Sequence, residues 1–146
     1  MDRLNLVTLG VKDIVQSLHF YRDGLGFEVK VYGDEANPEV VFINNGGSKL
    51  SLFPIENLAA DINASEPPQM TTGFNGITLA FNGKSMAEVD EVFALAKKAG
   101  AEIVKTPQAT DWGGYSGYFR ELNGIYWEIA YGEDWEFDEQ DMLIID

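Results

Sequence analysis

The sequence predicts an α+β fold built from two related copies of one small unit, each running β-α-β-β-β. Two observations predict it. The order strand, capped amphipathic helix and three strands occurs twice along the chain. A stretch rich in small and polar residues, with Pro67-Pro68 inside it, separates the two occurrences. The expected boundaries are a first module at 1–54, a linker at 55–74, a second module at 75–132 and an acidic C-terminal tail at 133–146, all in one compact domain.

In the first copy Leu4–Leu9 reads as a strand. Asp13 opens a helix, with Gln16 three residues on as a variant capping box. Ile14, Leu18, Tyr21 and Leu25 form one apolar stripe at helical spacing, and Gly24 and Gly26 punctuate its end. Strands are expected at Phe27–Tyr32, Val40–Ile43 and Leu50–Phe53, with a turn at Asn44-Asn45-Gly46-Gly47. In the second copy Ile77–Phe81 is the first strand and Ser85 with Glu88 forms a capping box. Val89, Val92, Phe93, Ala96 and Ala99 make the helical stripe, which Gly100 ends. Strands follow at Glu102–Lys105, Gly117–Glu121 and Ile125–Tyr131. Neither copy is large enough to bury both its sheet and its helix comfortably. Paired edge to edge, two such sheets would form a curved, mostly antiparallel cup with helices on the convex side. The concave side is where a small-molecule site is expected.

Composition narrows the class. Of 146 residues, 45% are hydrophobic and 23% charged, enough to build a core. No apolar run approaches a membrane span, and the N-terminus, Met1-Asp2-Arg3-Leu4-Asn5-Leu6, lacks the pattern of a secretory signal. There is no cysteine, hence no disulfide and no thiolate ligand or nucleophile. These features fit a cytoplasmic location. The net charge of −14 opposes binding to nucleic acid and anionic membranes. Part of it sits in the run Glu133–Asp141, where the simplest role of the acidity is solubility. The glycine-rich stretches match neither GxxxxGK[ST] nor a strand-to-helix GxGxxG, and no GxSxG elbow is present.

The segments Leu6–Asp13 and Ser17–Phe27, together with the closing stretch Gly117–Glu128, resemble the opening and the final hairpin of the vicinal oxygen chelate superfamily. That superfamily includes glyoxalase I, extradiol dioxygenases and bleomycin resistance proteins. The resemblance covers nearly all of the chain up to Tyr131. It implies paired βαβββ modules around a metal-binding cup, commonly in homodimers. It also implies four inward ligand positions, which fall here on Leu6, Ser51, Thr78 and Glu128. A leucine and two neutral hydroxyls are poor partners for Zn²⁺ or Fe²⁺. The expectation is therefore a metal-site-degenerate member with no metal and no cofactor. The one histidine, His19, lies on the first helix and reads as a surface residue.

Glu128 is then either an inherited carboxylate held by a hydrogen bond, or a general base or anchor for a cationic or hydroxyl-bearing ligand. Its face depends on the turn before it. A two-residue turn at Asn123-Gly124 pairs Phe119 with Glu128, and a type I turn with a glycine bulge pairs Tyr118 with Glu128. The family's hairpin implies the second form, which turns Ser116, Tyr118, Tyr126, Glu128 and Ala130 into the cup. The loop Thr110–Tyr118 is rich in glycine and carries Trp112, Tyr115 and Tyr118, expected at the lip of a pocket. The expected ligand-binding set is Leu6, Ser51, Thr78, Trp112, Tyr115, Tyr118, Tyr126 and Glu128, with Glu128 and Tyr118 as candidate catalytic groups. Three functions compete: a metal-free binder of a small organic molecule, a lyase or dioxygenase using Glu128 and Tyr118, and an interaction subunit whose cup its own residues fill.

Overall fold

A computed structural model describes residues 3–44 and 46–145. The turn expected around Asn45 lies partly outside the described residues. The chain divides into two compact units, Met1–Gly73 and Phe74–Asp146, each with its own four-stranded sheet.

The first unit holds β1 (Val7–Val11), α1 (Ile14–His19), β2 (Val29–Asp34), β3 (Asn37–Asn44), β4 (Lys49–Pro54) and α2 (Ile55–Ile62). Asp13 caps α1 as expected: its side chain accepts from the Gln16 N–H at 2.9 Å. The helix runs on into a π turn over Phe20–Gly24. Strand order is β1-β4-β3-β2, with β1 parallel to β4 and the other pairs antiparallel. One face carries Leu9, Val11, Val41, Ile43, Leu50 and Leu52, all buried, as are Ile14, Leu18 and Tyr21 of the helical segment. That apolar core was legible as strand alternation plus the helical stripe.

The stretch expected as a linker opens with α2. Ile55, Leu58, Ala59 and Ile62 follow the i, i+3, i+4, i+7 spacing, and Ala59 is buried. The helix lies against Gly10 of β1, where a Cβ would meet Ile55 at 2.9 Å.

The second unit holds β5 (Thr78–Asn82), α3 (Met86–Lys98), β6 (Glu102–Ala109), β7 (Gly114–Arg120) and β8 (Tyr126–Gly132). Its order, β5-β8-β7-β6, repeats the first, again with one parallel pair between first and last strands. Ser85 accepts from the Glu88 N–H, but the Glu88 carboxylate takes the N–H of Lys84 instead of that of Ser85. The capping box is thus displaced by one residue on its return arm. Val89, Phe93 and Ala96 bury the helix against the sheet. Phe93 meets Phe119 edge-on at 6.1 Å, and Phe119 stacks on Trp127 at 6.3 Å.

The β7–β8 turn takes the bulged form. Gly124 sits at φ 88°, a conformation that favours glycine, and donates its N–H to the Glu121 carbonyl. Glu121, only 4% exposed, directs its carboxylate into the turn, where Oε1 accepts from the N–H groups of Asn123 and Ile125 at 2.7 and 2.9 Å. Burial raises its pKa above the ordinary carboxylate value, against the hydrogen bonds that lower it. Glu121→Ala is expected to cost about 1–3 kcal/mol at neutral pH, because two turn N–H groups lose their acceptor. Glu121→Gln keeps Oε1 and should cost less. The raised pKa also has a sign: protonation favours the folded state, fully below the ordinary value near 4.5 and progressively less as pH rises through the raised one. Denaturant melts of parent and Glu121→Gln between mildly acidic and neutral pH would check this, since the glutamine variant should lack that component of the slope.

The C-terminal run is folded. Phe137 bridges Leu143, and the Asp138 carboxylate accepts from the N–H groups of Gln140 and Met142, each at 2.9 Å. Lys84 pairs with Asp141, and its ammonium lies 5.9 Å from the Phe137 ring.

Candidate functional site

Alternation in β7 and β8 divides the second sheet into two faces. Phe119, Trp127 and Ile129 are buried on the α3 side. Tyr118 pairs with Glu128 and Ser116 with Ala130, on the opposite face. The bulged turn sets this register, since a two-residue turn would have paired Phe119 with Glu128 and sent an acid and a phenylalanine to the same face.

On that face lies an open cavity of about 380 Å³, lined by Lys105, Gln108, Ala109, Thr110, Asp111, Trp112, Ser116, Tyr118 and Glu128. Burial and hydrogen bonding to Glu128 push the Tyr118 phenol above its usual value. It stays protonated at neutral pH and donates to the carboxylate. The Lys105 ammonium lies 5.9 Å from the Tyr118 ring, so a cation, a phenol and a carboxylate follow one another across β6, β7 and β8. Such a row can orient a ligand's polar edge, and Glu128 can accept a proton or hydrogen bond from it.

The structure thus brings Trp112, Tyr118 and Glu128 into one pocket. It does not bring Tyr115 there. Strand β7 begins at Gly114, three residues before the expected start, so Tyr115 alternates to the α3 side and donates its hydroxyl to Asp90 of the helix at 2.9 Å. Tyr126 shares the Glu128 face, but its ring packs edge-on against Phe74 and does not line the cavity. Thr78, its partner across the parallel pair, is exposed. Leu6 precedes β1 and is half-buried. Ser51 is buried in β4, and its hydroxyl donates to Thr8 at 2.8 Å. Lys105 was missed in the sequence because its strand seemed to end there; β6 continues to Ala109. Trp135 was also missed, submerged in an acidic run. Trp135 and Phe137 are half-buried within the second unit.

The four family ligand positions do not fit a divalent metal. Only Glu128 offers a strong donor, Leu6 offers none, and the Ser51 hydroxyl is engaged with Thr8. Among the described residues no group of three or more His, Asp or Glu side chains is arranged to hold a metal ion. His19 pairs with Asp23 on the exposed side of the first helix. No helix in the described residues is long and apolar enough to cross a membrane.

A sequence model of the Glyoxalase/Bleomycin resistance protein/Dioxygenase superfamily matches residues 3–129. No curated protein sequence is significantly similar to the chain. Among solved structures, a glyoxalase-related enzyme from Fulvimarina pelagi is 26% identical, with 99% of each chain covered and a TM-score of 0.84. A glyoxalase/bleomycin resistance protein/dioxygenase family enzyme from Burkholderia phytofirmans PsJN is 22% identical, over 87% of this chain and 96% of its own, at TM-score 0.72. A lactoylglutathione lyase from Agrobacterium tumefaciens is 24% identical, over 94% and 99%, at 0.67. The last two likenesses speak to the fold alone.

Proposed function

Because the chain belongs to the glyoxalase/bleomycin resistance protein/dioxygenase superfamily, we propose that it binds a small organic molecule on the Glu128 face of its second sheet, without a metal ion. The observation that carries this reading is the shared cavity of Glu128, Tyr118 and Trp112, in a chain whose four family ligand positions offer one strong metal donor, Glu128, and whose described residues form no group of three or more potential ligands. Glu128 and Tyr118 supply the polar anchor and Trp112 the flat apolar wall. A cytoplasmic location and a chain that avoids nucleic acid accompany this reading, in keeping with the charge of −14.

The purified protein should carry no stoichiometric Zn, Fe, Mn or Ni by elemental analysis. A thermal-shift screen of small organic molecules, run with and without chelator, should find ligands whose stabilisation survives chelation. About one tightly held metal per chain, or stabilisation abolished by chelator, would overturn the proposal.

A second reading is an enzyme. The Fulvimarina pelagi relative is described as a glyoxalase-related enzyme. The hydrogen-bonded Tyr118–Glu128 pair could transfer a proton within the same pocket. Product formation from a ligand found in the screen, lost in Glu128→Gln, would favour this reading.

Superfamily members commonly dimerise, and a homodimer is the proposed solution state. Light scattering at micromolar concentration should give twice the 16.2 kDa of the chain, and a monomer mass would count against it.

A further inference from the structure

The family match stops at residue 129, yet a tryptophan beyond it stacks on a residue that lines the cavity. Trp112, in the loop before β7, and Trp135, in the turn after β8, stack with ring centroids 5.7 Å apart and planes 13° from parallel. This is offset stacking. Beneath them the backbone is bare. Gly114 and Gly132 face each other across β7 and β8. A Cβ at Gly114 would come within 1.8 Å of the Trp112 ring, and one at Gly132 within 2.7 Å of the Trp135 ring. Each indole therefore occupies the space a side chain would take.

Both supporting segments are fastened. The Gly114 N–H donates to the Thr110 hydroxyl at 3.0 Å and the Thr110 N–H to the Gly114 carbonyl at 2.9 Å, closing the loop that carries Trp112. The Trp135 N–H donates to the Gly132 carbonyl, and the Lys84–Asp141 ion pair ties down the segment beyond. Trp112 is nonetheless 55% exposed and lines the cavity that holds Glu128. A large aromatic ring that is rigidly seated but left half open is a contact surface waiting for a flat partner. The charges around it are mostly negative: Asp111 and Glu128 against Lys105 in the cavity, and exposed Glu133, Asp134 and Glu136 flanking Trp135.

We propose that Trp112 and Trp135 form one aromatic shelf on the Gly114–Gly132 pair, that Trp135 is the positioning residue which holds Trp112 in place, and that the shelf selects a flat aromatic cation. The segment after the family match is then part of the binding site and not an appendage. A planar cation gains stacking area on the indole, cation–π attraction and a carboxylate at Glu128, whereas a saturated cation gains only the last two in part. This inference rests on the preceding assignment of the Glu128 face as the ligand face.

The test uses the full chain with proflavine as the planar cation and tetraethylammonium as the saturated one. Proflavine should bind the parent at least tenfold more tightly than tetraethylammonium by fluorescence and calorimetric titration. The stacked indoles should give a paired positive and negative band in far-ultraviolet circular dichroism. Trp135→Ala should abolish that signal and weaken proflavine by about tenfold, and Trp135→Phe should restore most of the affinity. Gly114→Ala, which places a Cβ where the Trp112 ring lies, should reproduce the loss and serves if Trp135→Ala does not fold. Unchanged proflavine affinity in Trp135→Ala and Gly114→Ala overturns the shelf, as does a parent that prefers tetraethylammonium or binds neither probe. If instead Trp135→Ala weakens proflavine while Glu128→Gln leaves both probes unaffected, the shelf stands and the assignment of Glu128 as anchor falls.

Discussion

Phe119→Ala is expected to destabilise the second unit by about 3–5 kcal/mol, the range for removing a buried phenylalanine. Phe119 is 1% exposed and stands between two rings, edge-on to Phe93 of α3 and stacked on Trp127 of β8. Truncation leaves a cavity where helix and sheet meet, and neither flanking ring can move far in a dense core. Phe119→Leu should retain most of the stability because it fills more of that volume. Urea unfolding followed by tryptophan fluorescence would measure both, since Trp127 loses its stacking partner in each. A loss below 1 kcal/mol for the alanine variant would mean that the unit does not rely on this aromatic layer.

The second large effect concerns ligand affinity. Glu128→Gln conserves shape and removes the charge, so a cationic ligand should bind about one to two orders of magnitude more weakly, corresponding to ~1.5–3 kcal/mol for a hydrogen bond to a charged group. The fold should be unaffected, because Glu128 lies on the face opposite Phe119 and Trp127 and is not part of that core. Tyr118→Phe should have a smaller effect. It removes the hydroxyl that donates to Glu128 but keeps the ring beside Lys105. Calorimetric titration of a ligand from the screen would rank the variants, and equal affinities in parent and Glu128→Gln would remove the carboxylate from the site.

Most of the fold was legible because helical and strand periodicities are local. Ile14 and Leu18 of the helical stripe and the capping residues Asp13 and Ser85 did in the structure what their spacing implied. Tyr21, by contrast, is buried from the π turn, and Leu25, expected on the same stripe, lies just beyond that turn and is half-buried. The pairing of Tyr118 with Glu128 was legible for a subtler reason. A glycine at the end of Glu121-Leu122-Asn123-Gly124 admits the bulge, and the bulge alone decides which face each strand residue takes. Tyr115 was misplaced by the same logic run from a wrong start. Gly114 read as loop and Gly117 as the first residue of the strand, yet both lie inside β7. At Gly117 a Cβ would meet the Lys105 carbonyl at 2.4 Å, so the glycine records close approach of strands and not a turn. The helix α2 was hidden by composition, since Pro54 and the acidic and small residues after it are what a linker also contains. The stacking of Trp135 on Trp112 could not be read at all, because it depends on tertiary placement of segments on either side of a hairpin.

The parallel pairing of first and last strands has a consequence for how each unit assembles. β1 cannot complete its ladder until β4 exists, and β5 waits in the same way for β8. Loop closure must therefore be met before the sheet's edge strand gains its hydrogen bonds, which raises contact order and slows the final step of each half. During synthesis the first unit has all its strands once Pro54 has emerged, while β5 stays unpaired until Tyr126 to Gly132 are made. For that interval Leu79 and Phe81 have no strand beside them, which leaves β5 open to chaperone capture or misassociation in the nascent chain.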